Sequence, residues 1–247
     1  LKAIILCAGH GKRLKPYTDK IQKTMLQLHG KPFLEYIIDG MKYAGFRDIL
    51  LVVGYQKEQI IEHFQTGENW NINIQYIEQK ELNGTGGALL LCEKFIPDKH
   101  FFLTWGDTLV PYKVYKEVYT IYKKENRDFI LVANYSDDPY LGAAIYSDNL
   151  ILTDIIEKPP RGSSKTNLNN CGVFIFSKEI FSILKTLAPS ERGEIEVTKA
   201  LLIGIKERHW QVRVFKMNKA LFRADIGAKE KYEQLRDDST WLRILKI

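Results

Sequence analysis

Residues 3 to 7 (Ala-Ile-Ile-Leu-Cys) are a continuous apolar run, the pattern of a strand covered on both faces in a parallel sheet. A polar, Gly-rich segment follows. From Pro32 onward Leu34, Ile37, Ile38, Met41 and Ala44 recur at helical spacing, and Gly45 stands where a helix stop belongs. The same reading predicts a strand over 49–53, a helix over 56–64, an alternating strand over 72–77, a helix over 88–95 and a buried strand over 101–104. Strand and helix thus alternate through the first hundred residues. That argues for a doubly wound, mostly parallel, Rossmann-like α/β sheet with ligands at the carboxyl ends of its strands.

The second half is less regular. A helix is predicted over 112–124, strands over 129–133, 143–146, 151–156, 173–176 and 211–217, and helices over 178–187 and 194–207. Arg161 to Asn169 is a polar loop with the composition of a mobile lid. Tyr112, Tyr115, Tyr119 and Tyr122 fall at helical spacing and read as packing. No linker or internal repeat divides the chain. The expected organisation is one domain over 1–236, in halves of about 1–110 and 111–236, the second an elaborated lobe. A tail over 237–247, apolar at Trp241, Leu242, Ile244, Leu245 and Ile247, is suited to dock on its own domain or on a second subunit.

Composition narrows the function classes. With 247 residues, 45% hydrophobic, 27% charged and 8 prolines, the chain is an ordinary globular one. It can bury about 70% of its extended surface. Cys7, Cys92 and Cys171 form no Cys-x-x-Cys pair, so neither a zinc cage nor a disulfide framework is signalled, and a reduced cytoplasmic setting fits. The 3–8 apolar stretch is too short for a signal-peptide core and no run is long enough for a membrane span, so no membrane partner is expected. The net charge of +6 is interspersed, which favours a small anionic ligand over nucleic acid.

Chemistry concentrates first after the opening strand. In Ala8-Gly9-His10-Gly11-Lys12-Arg13-Leu14, small residues let the backbone approach a ligand while Lys12 and Arg13 supply positive charge, a phosphate cradle. It is not a Walker loop, since Arg13 follows Gly11-Lys12. Nor is it a dinucleotide fingerprint, since Leu14 holds the place of the third glycine. Arg13-Leu14-x-Pro16-x-Thr18, Lys23-Thr24-Met25 and Gly30 to Tyr36 come next. In order follow Gln79 with Leu82 to Ala88, Gly106-Asp107, Leu141-Gly142, Glu157-Lys158-Pro159, Asn170-x-Gly172 and Asp225-x-Gly227. This collinear set resembles the signature of the sugar-1-phosphate nucleotidyltransferases.

The resemblance implies that an NTP and a sugar 1-phosphate give an NDP-sugar and pyrophosphate, by in-line attack on the nucleotide α-phosphorus. It implies catalytic Arg13, Lys23 and Asp107, and nucleotide contacts from Leu6, Ala8, Gly9, Gly11, Lys12, Gln79, Gly84 and Thr85. Gly142, Glu157, Lys158 and Asn170 match the sugar-phosphate side, which would make 1–110 the nucleotide half and 111–236 an elaborated sugar-binding lobe, and Asp107 with Asp225 would hold Mg2+. Asp107 follows an apolar strand, which suits a hard-cation ligand at a sheet's carboxyl edge. Three positions depart from the family pattern: Gln22 stands in place of Pro, Trp105 in place of Asn, and Arg223 in place of an aromatic residue. No left-handed β-helix segment follows, so acyl transfer is not expected. The Gly84 to Gly87 and Gly30 to Tyr36 segments look somewhat like heptose-1-phosphate guanylyltransferases, while uridylyl and thymidylyl transfer stay open. A non-catalytic nucleotide-sugar sensor on the same fold is the competing reading.

Overall fold

In chain order the elements are β1 (Ala3–Leu6), β2 (Gln27–Leu28), β3 (Lys31–Pro32), α1 (Phe33–Ala44), β4 (Asp48–Val53), α2 (Lys57–Phe64) and β5 (Asn73–Glu78). Next come α3 (Thr85–Leu90), β6 (His100–Trp105), β7 (Thr108–Leu109), α4 (Tyr112–Glu125), β8 (Phe129–Tyr135), β9 (Ala143–Asp148), β10 (Ile151–Glu157) and β11 (Leu168–Ser177). The chain closes with α5 (Ile180–Leu184), α6 (Val197–Glu207), β12 (Val212–Lys216), β13 (Ala224–Asp225), α7 (Lys229–Asp237) and α8 (Trp241–Leu245). This computed structural model describes residues 1–246; Ile247, the last residue of the expected tail, lies outside the described residues.

Two compact units emerge. The first takes residues 1–82, 104–117 and those from Leu221 on, and the second takes 83–103 and 118–220. In the first unit β1, β4 and β5 are parallel and in register, with Leu6 beside Val52 and Val53 beside Glu78. Their carboxyl ends therefore share one edge. The apolar runs are fully covered, as their lack of alternation requires: Ile4, Ile5, Leu50, Leu51 and Val52 expose nothing to solvent. Gly45 ends α1 in the left-handed region (φ 99°), its N–H donating to the Lys42 carbonyl. Tyr115 packs so closely on Gly40 that a Cβ there would lie 2.6 Å from its ring, so this part of the tyrosine stripe is core. The tail belongs to this unit, with Trp241 buried against Tyr36 and Phe222.

The second unit is mixed, and in the first β2–β3 and β13–β7 are antiparallel, so of the expected mostly parallel sheet the first unit keeps the β1, β4 and β5 strands. In the second unit β8 pairs with β12 in parallel, but β11–β8, β12–β10, β10–β9 and β11–β9 are antiparallel. The order β11-β8-β12-β10-β9 closes on itself through the Asn169–Ala144 pairing. The expected lid is shorter than its sequence suggests, because Leu168 and Asn169 already belong to β11. It is also anchored: Asp138 Oδ2 accepts from Gly162 N at 2.8 Å, and Ser136 N donates to the Asn167 carbonyl at 2.8 Å. Among the described residues, no helix is long and apolar enough to cross a membrane.

Candidate active site

In the first unit the cradle grows out of β1. Cys7 N donates to the Val52 carbonyl at 2.7 Å, and Tyr55 N donates to the Ala8 carbonyl at 3.1 Å, so the loop starts as an extension of the sheet. A Cβ on Gly54 would lie 2.8 Å from that Ala8 carbonyl oxygen, so only glycine admits this crossing. Gln79 leaves β5 at the same edge, its N–H donating to the Val53 carbonyl at 2.8 Å, and it is buried. Gly11 has φ 66°, and a Cβ there would stand 3.0 Å from Lys23 Cβ. The cradle is thus wrapped around Lys23. Lys12 and Arg13 sit exposed on a short 3-10 turn, free of the crowding at Leu14, which is buried.

Gln22 explains its own departure from the family pattern. Its Nε2 donates to the Cys7 carbonyl at 2.6 Å, while its Oε1 accepts from Thr24 N at 2.5 Å and from Thr24 Oγ1 at 2.7 Å. This buried amide does by hydrogen bonding what a proline does by ring constraint: it fixes the turn that presents Lys23 and ties it to β1. Lys23 Nζ then reaches Asp107 Oδ2 at 2.5 Å and passes 3.6 Å from where a Cβ on Gly9 would be. Gly106 sets the approach of Asp107, since its N–H donates to the Leu6 carbonyl at 2.9 Å and a Cβ would meet Cys7 Sγ at 2.5 Å. Cys7 itself is core, and burial pushes its thiol up to about 12, with Lys23 opposing, so it offers no thiolate.

Asp225 lies on the strand next to Asp107. Thr108 pairs with Asp225, and Ile226 N donates to the Asp107 carbonyl at 3.1 Å. Arg223 forms an ion pair with Asp225, Lys231 Nζ reaches its Oδ2 at 2.7 Å, and Gly227 N donates to its Oδ1 at 3.0 Å. Burial pushes this carboxyl up, but the Arg223 charge and the Lys231 bond outweigh it and hold the group below the usual carboxylate range. An Arg13 guanidinium nitrogen lies 3.3 Å from the Cβ position of Gly227. Two carboxylates, Asp225 on β13 and Asp107 in the turn that leads into its partner β7, with oxygen as the sole donor type, suit magnesium, which takes one or two carboxylates and completes its shell with phosphate oxygens and water. Among the described residues no group of three or more His, Cys, Asp or Glu side chains is placed to hold a metal.

In the second unit the residues expected on the sugar-phosphate side converge. Glu157 pairs with Ala143 and Asn169 with Ala144, so by strand alternation Asn170, Ala143 and Glu157 share one face. A small residue thus separates an amide from a carboxylate. Asn170 is buried; its Oδ1 accepts from Gly172 N at 3.0 Å, and its Nδ2 donor has no partner. Lys158 N donates to the Gly142 carbonyl at 2.7 Å, and Lys158 is held at φ 45°, a left-handed conformation costing a lysine about 1 kcal/mol. Gly142 is glycine because a Cβ would lie 2.2 Å from Asn169 Oδ1.

Thr198, Glu196 and Arg192 join this site without a prior sequence signal. Thr198 Oγ1 donates to Glu157 Oε2 at 3.0 Å. Burial, aided by Glu196, raises the Glu157 carboxyl above its ordinary range, with Thr198, Lys158 and Arg192 opposing. Arg192 pairs with Glu196. Thr85 meets the same helix start, its Oγ1 accepting from Val197 N at 3.2 Å. The close approach expected of the glycine loop is made by the chain itself: Gly86 N donates to the Ile195 carbonyl at 2.7 Å, and a Cβ on Gly84 would lie 2.6 Å from that oxygen.

The family described as Nucleotidyl transferase matches residues 2–240. The bifunctional protein GlmU of Methanococcus aeolicus is 37% identical over 219 residues, or 88% of this chain and 50% of that protein. The chain thus spans about half the length of the GlmU relatives it matches. The UTP–glucose-1-phosphate uridylyltransferase AglF of Haloferax volcanii is 32% identical over 212 residues, covering 83% of this chain and 84% of that one. A solved UDP-glucose pyrophosphorylase complexed with UDP-glucose superposes with a TM-score of 0.85 at 25% identity, over 96% of this chain and 97% of that one. These matches run through both units and all the motifs above, and the chain belongs to the nucleotidyl transferase family.

Proposed function

We propose that this chain joins an NTP to a sugar 1-phosphate, releasing pyrophosphate and an NDP-sugar. The observation that carries the reading is the Lys23–Asp107 pair, seated on the Gly9 to Leu14 cradle at the carboxyl edge of a parallel sheet. One phosphate oxygen of the sugar phosphate attacks the nucleotide α-phosphorus, and the bond from that phosphorus to the β-phosphate oxygen breaks. No proton needs to move at the attacking oxygen. The protein's work is therefore to position the reactants and balance charge.

Lys23 and Arg13 compensate the charge that builds on the departing pyrophosphate. Backbone groups of Leu6, Ala8, Gly9, Gly11 and Lys12 cradle the nucleotide, the buried amide of Gln79 reads the base edge, and in the second unit Gly84 and Thr85 contribute nucleotide contacts. In the second unit Glu157 accepts from sugar hydroxyls, the unpartnered Asn170 Nδ2 donates to one, Gly142 admits the ring, and Lys158 binds the acceptor phosphate. Asp107 and Asp225 would hold magnesium, which when bound screens the two anionic reactants from each other. UTP with glucose 1-phosphate is the first pair to try, supported by the named activity of AglF and by the UDP-glucose complex.

The test is pyrophosphate release across all common NTPs and a panel of hexose and heptose 1-phosphates. Turnover with at least one pair is expected. Tight binding of an NDP-sugar with no turnover for any pair would overturn the reading in favour of a sensor.

A further inference from the structure

Asp225 is 16% exposed, yet its Oδ2 is shared by two cations from different parts of the fold, Arg223 just before β13 and Lys231 on α7. Arg223 is itself enclosed, whereas the Lys231 side chain is 43% exposed. Beside them lies a cavity of about 380 Å³ lined by Phe222, Arg223, Asp225, Lys231, Leu235 and Trp241, among others. A lysine with this much exposure and adjoining space can leave its partner without unpacking the helix that carries it. Asp107 repeats the arrangement with Lys23 at 2.5 Å. Both carboxylates assigned to the metal therefore already carry an ammonium group.

We propose that Lys231 is a resident counter-ion of Asp225: it occupies the carboxylate oxygen in the metal-free protein and is displaced toward the adjoining cavity when a divalent cation enters. The inference rests on the reading of Asp225 as a metal ligand. Cation and ammonium compete for one oxygen, so the free protein binds a divalent ion more weakly than its two carboxylates alone would. Lys231 is in this sense a positioning residue. It holds the carboxylate in place until the metal arrives.

The experiment is a titration of the free full chain with Mn2+ alone, without nucleotide, read by the loss of the free-ion electron paramagnetic resonance signal. Lys231→Met is expected to bind Mn2+ about fivefold more tightly, the scale of one partly exposed ion pair. Lys231→Arg should stay near wild type, and Asp225→Asn should weaken binding and erase the gain in the double variant. If Asp225→Asn weakens binding but Lys231→Met is unchanged or weaker, Lys231 only braces the fold and the proposal falls. If Asp225→Asn binds Mn2+ like wild type, Asp225 is not a ligand, and both the reading and the proposal fall.

Discussion

Lys23 Nζ stands 2.5 Å from Asp107 Oδ2, two residues separated by 84 positions in the chain and brought together by the Gln22 amide on one side and Gly106 on the other. The pair is only partly enclosed, at 16% and 27% exposure, so its contribution to stability is small.

Replacing either partner should therefore cost far more activity than fold. Lys23→Ala and Asp107→Asn are each expected to lower kcat by about 10²- to 10³-fold. Their stability loss should stay near 1 kcal/mol. Initial rates with saturating substrates and thermal melts of the same samples check this; wild-type rates in Asp107→Asn would remove the pair from the chemistry.

The two lysines separate by substrate. Lys158→Ala should raise KM for sugar 1-phosphate with little change in kcat, because it removes binding common to ground and transition states. Lys23→Ala should act on kcat and on NTP use. Identical defects confined to NTP binding would show that Lys158 does not meet the acceptor.

How much of this was legible beforehand depends on the kind of contact. In the first unit β1 and β4 follow from uninterrupted apolar runs and α1 from helical spacing with a stop at Gly45, local signals that the fold obeys, whereas the short β2, β3, β7 and β13 carry no such signal. The helix predicted over 88–95 instead begins at Thr85. Packing of Gly84 and Gly86 against Ile195 overrides the poor helical propensity of glycine, and nothing nearby in sequence announces Ile195. Likewise β11 begins at Leu168, because Asn169 and Asn170 are polar strand residues whose amides bond within the sheet and mask its apolar pattern. Motif residues were readable in order. Their supports, Gln22, Thr198, Arg192 and Lys231, were not, since each acts through a contact between distant segments or adjacent elements.

Glu157 gives the account a pH signature. Its carboxyl titrates higher in the folded chain than in the unfolded one, so across that window the folded state binds more proton and stability falls as pH rises. Glu157→Gln should remove this slope and raise Tm at pH 8 by about 2–4 °C. It should also raise KM for sugar 1-phosphate. Melts from pH 4 to 8 settle the point: a wild-type-minus-variant difference that does not change with pH would contradict the assignment.

One stability prediction is independent of function. A Cβ on Gly204 would lie 2.0 Å from the Trp210 ring, and that ring is stacked on Phe129 with centroids 4.1 Å apart, so it cannot retreat freely. Gly204→Ala should destabilise by about 1–3 kcal/mol despite its better helical propensity, as denaturant unfolding would report. A variant more stable than wild type would show that the indole yields.

The central claim is that the sugar phosphate is the nucleophile toward the α-phosphorus. It is tested most directly with sugar 1-phosphate carrying 18O on its non-bridging phosphate oxygens, turned over with unlabelled NTP, magnesium and this chain. Mass spectrometry of the products should find the whole label in the NDP-sugar and none in pyrophosphate, because only the bond from the α-phosphorus to the leaving oxygen breaks. Label in pyrophosphate, or no labelled NDP-sugar with any NTP, would contradict it.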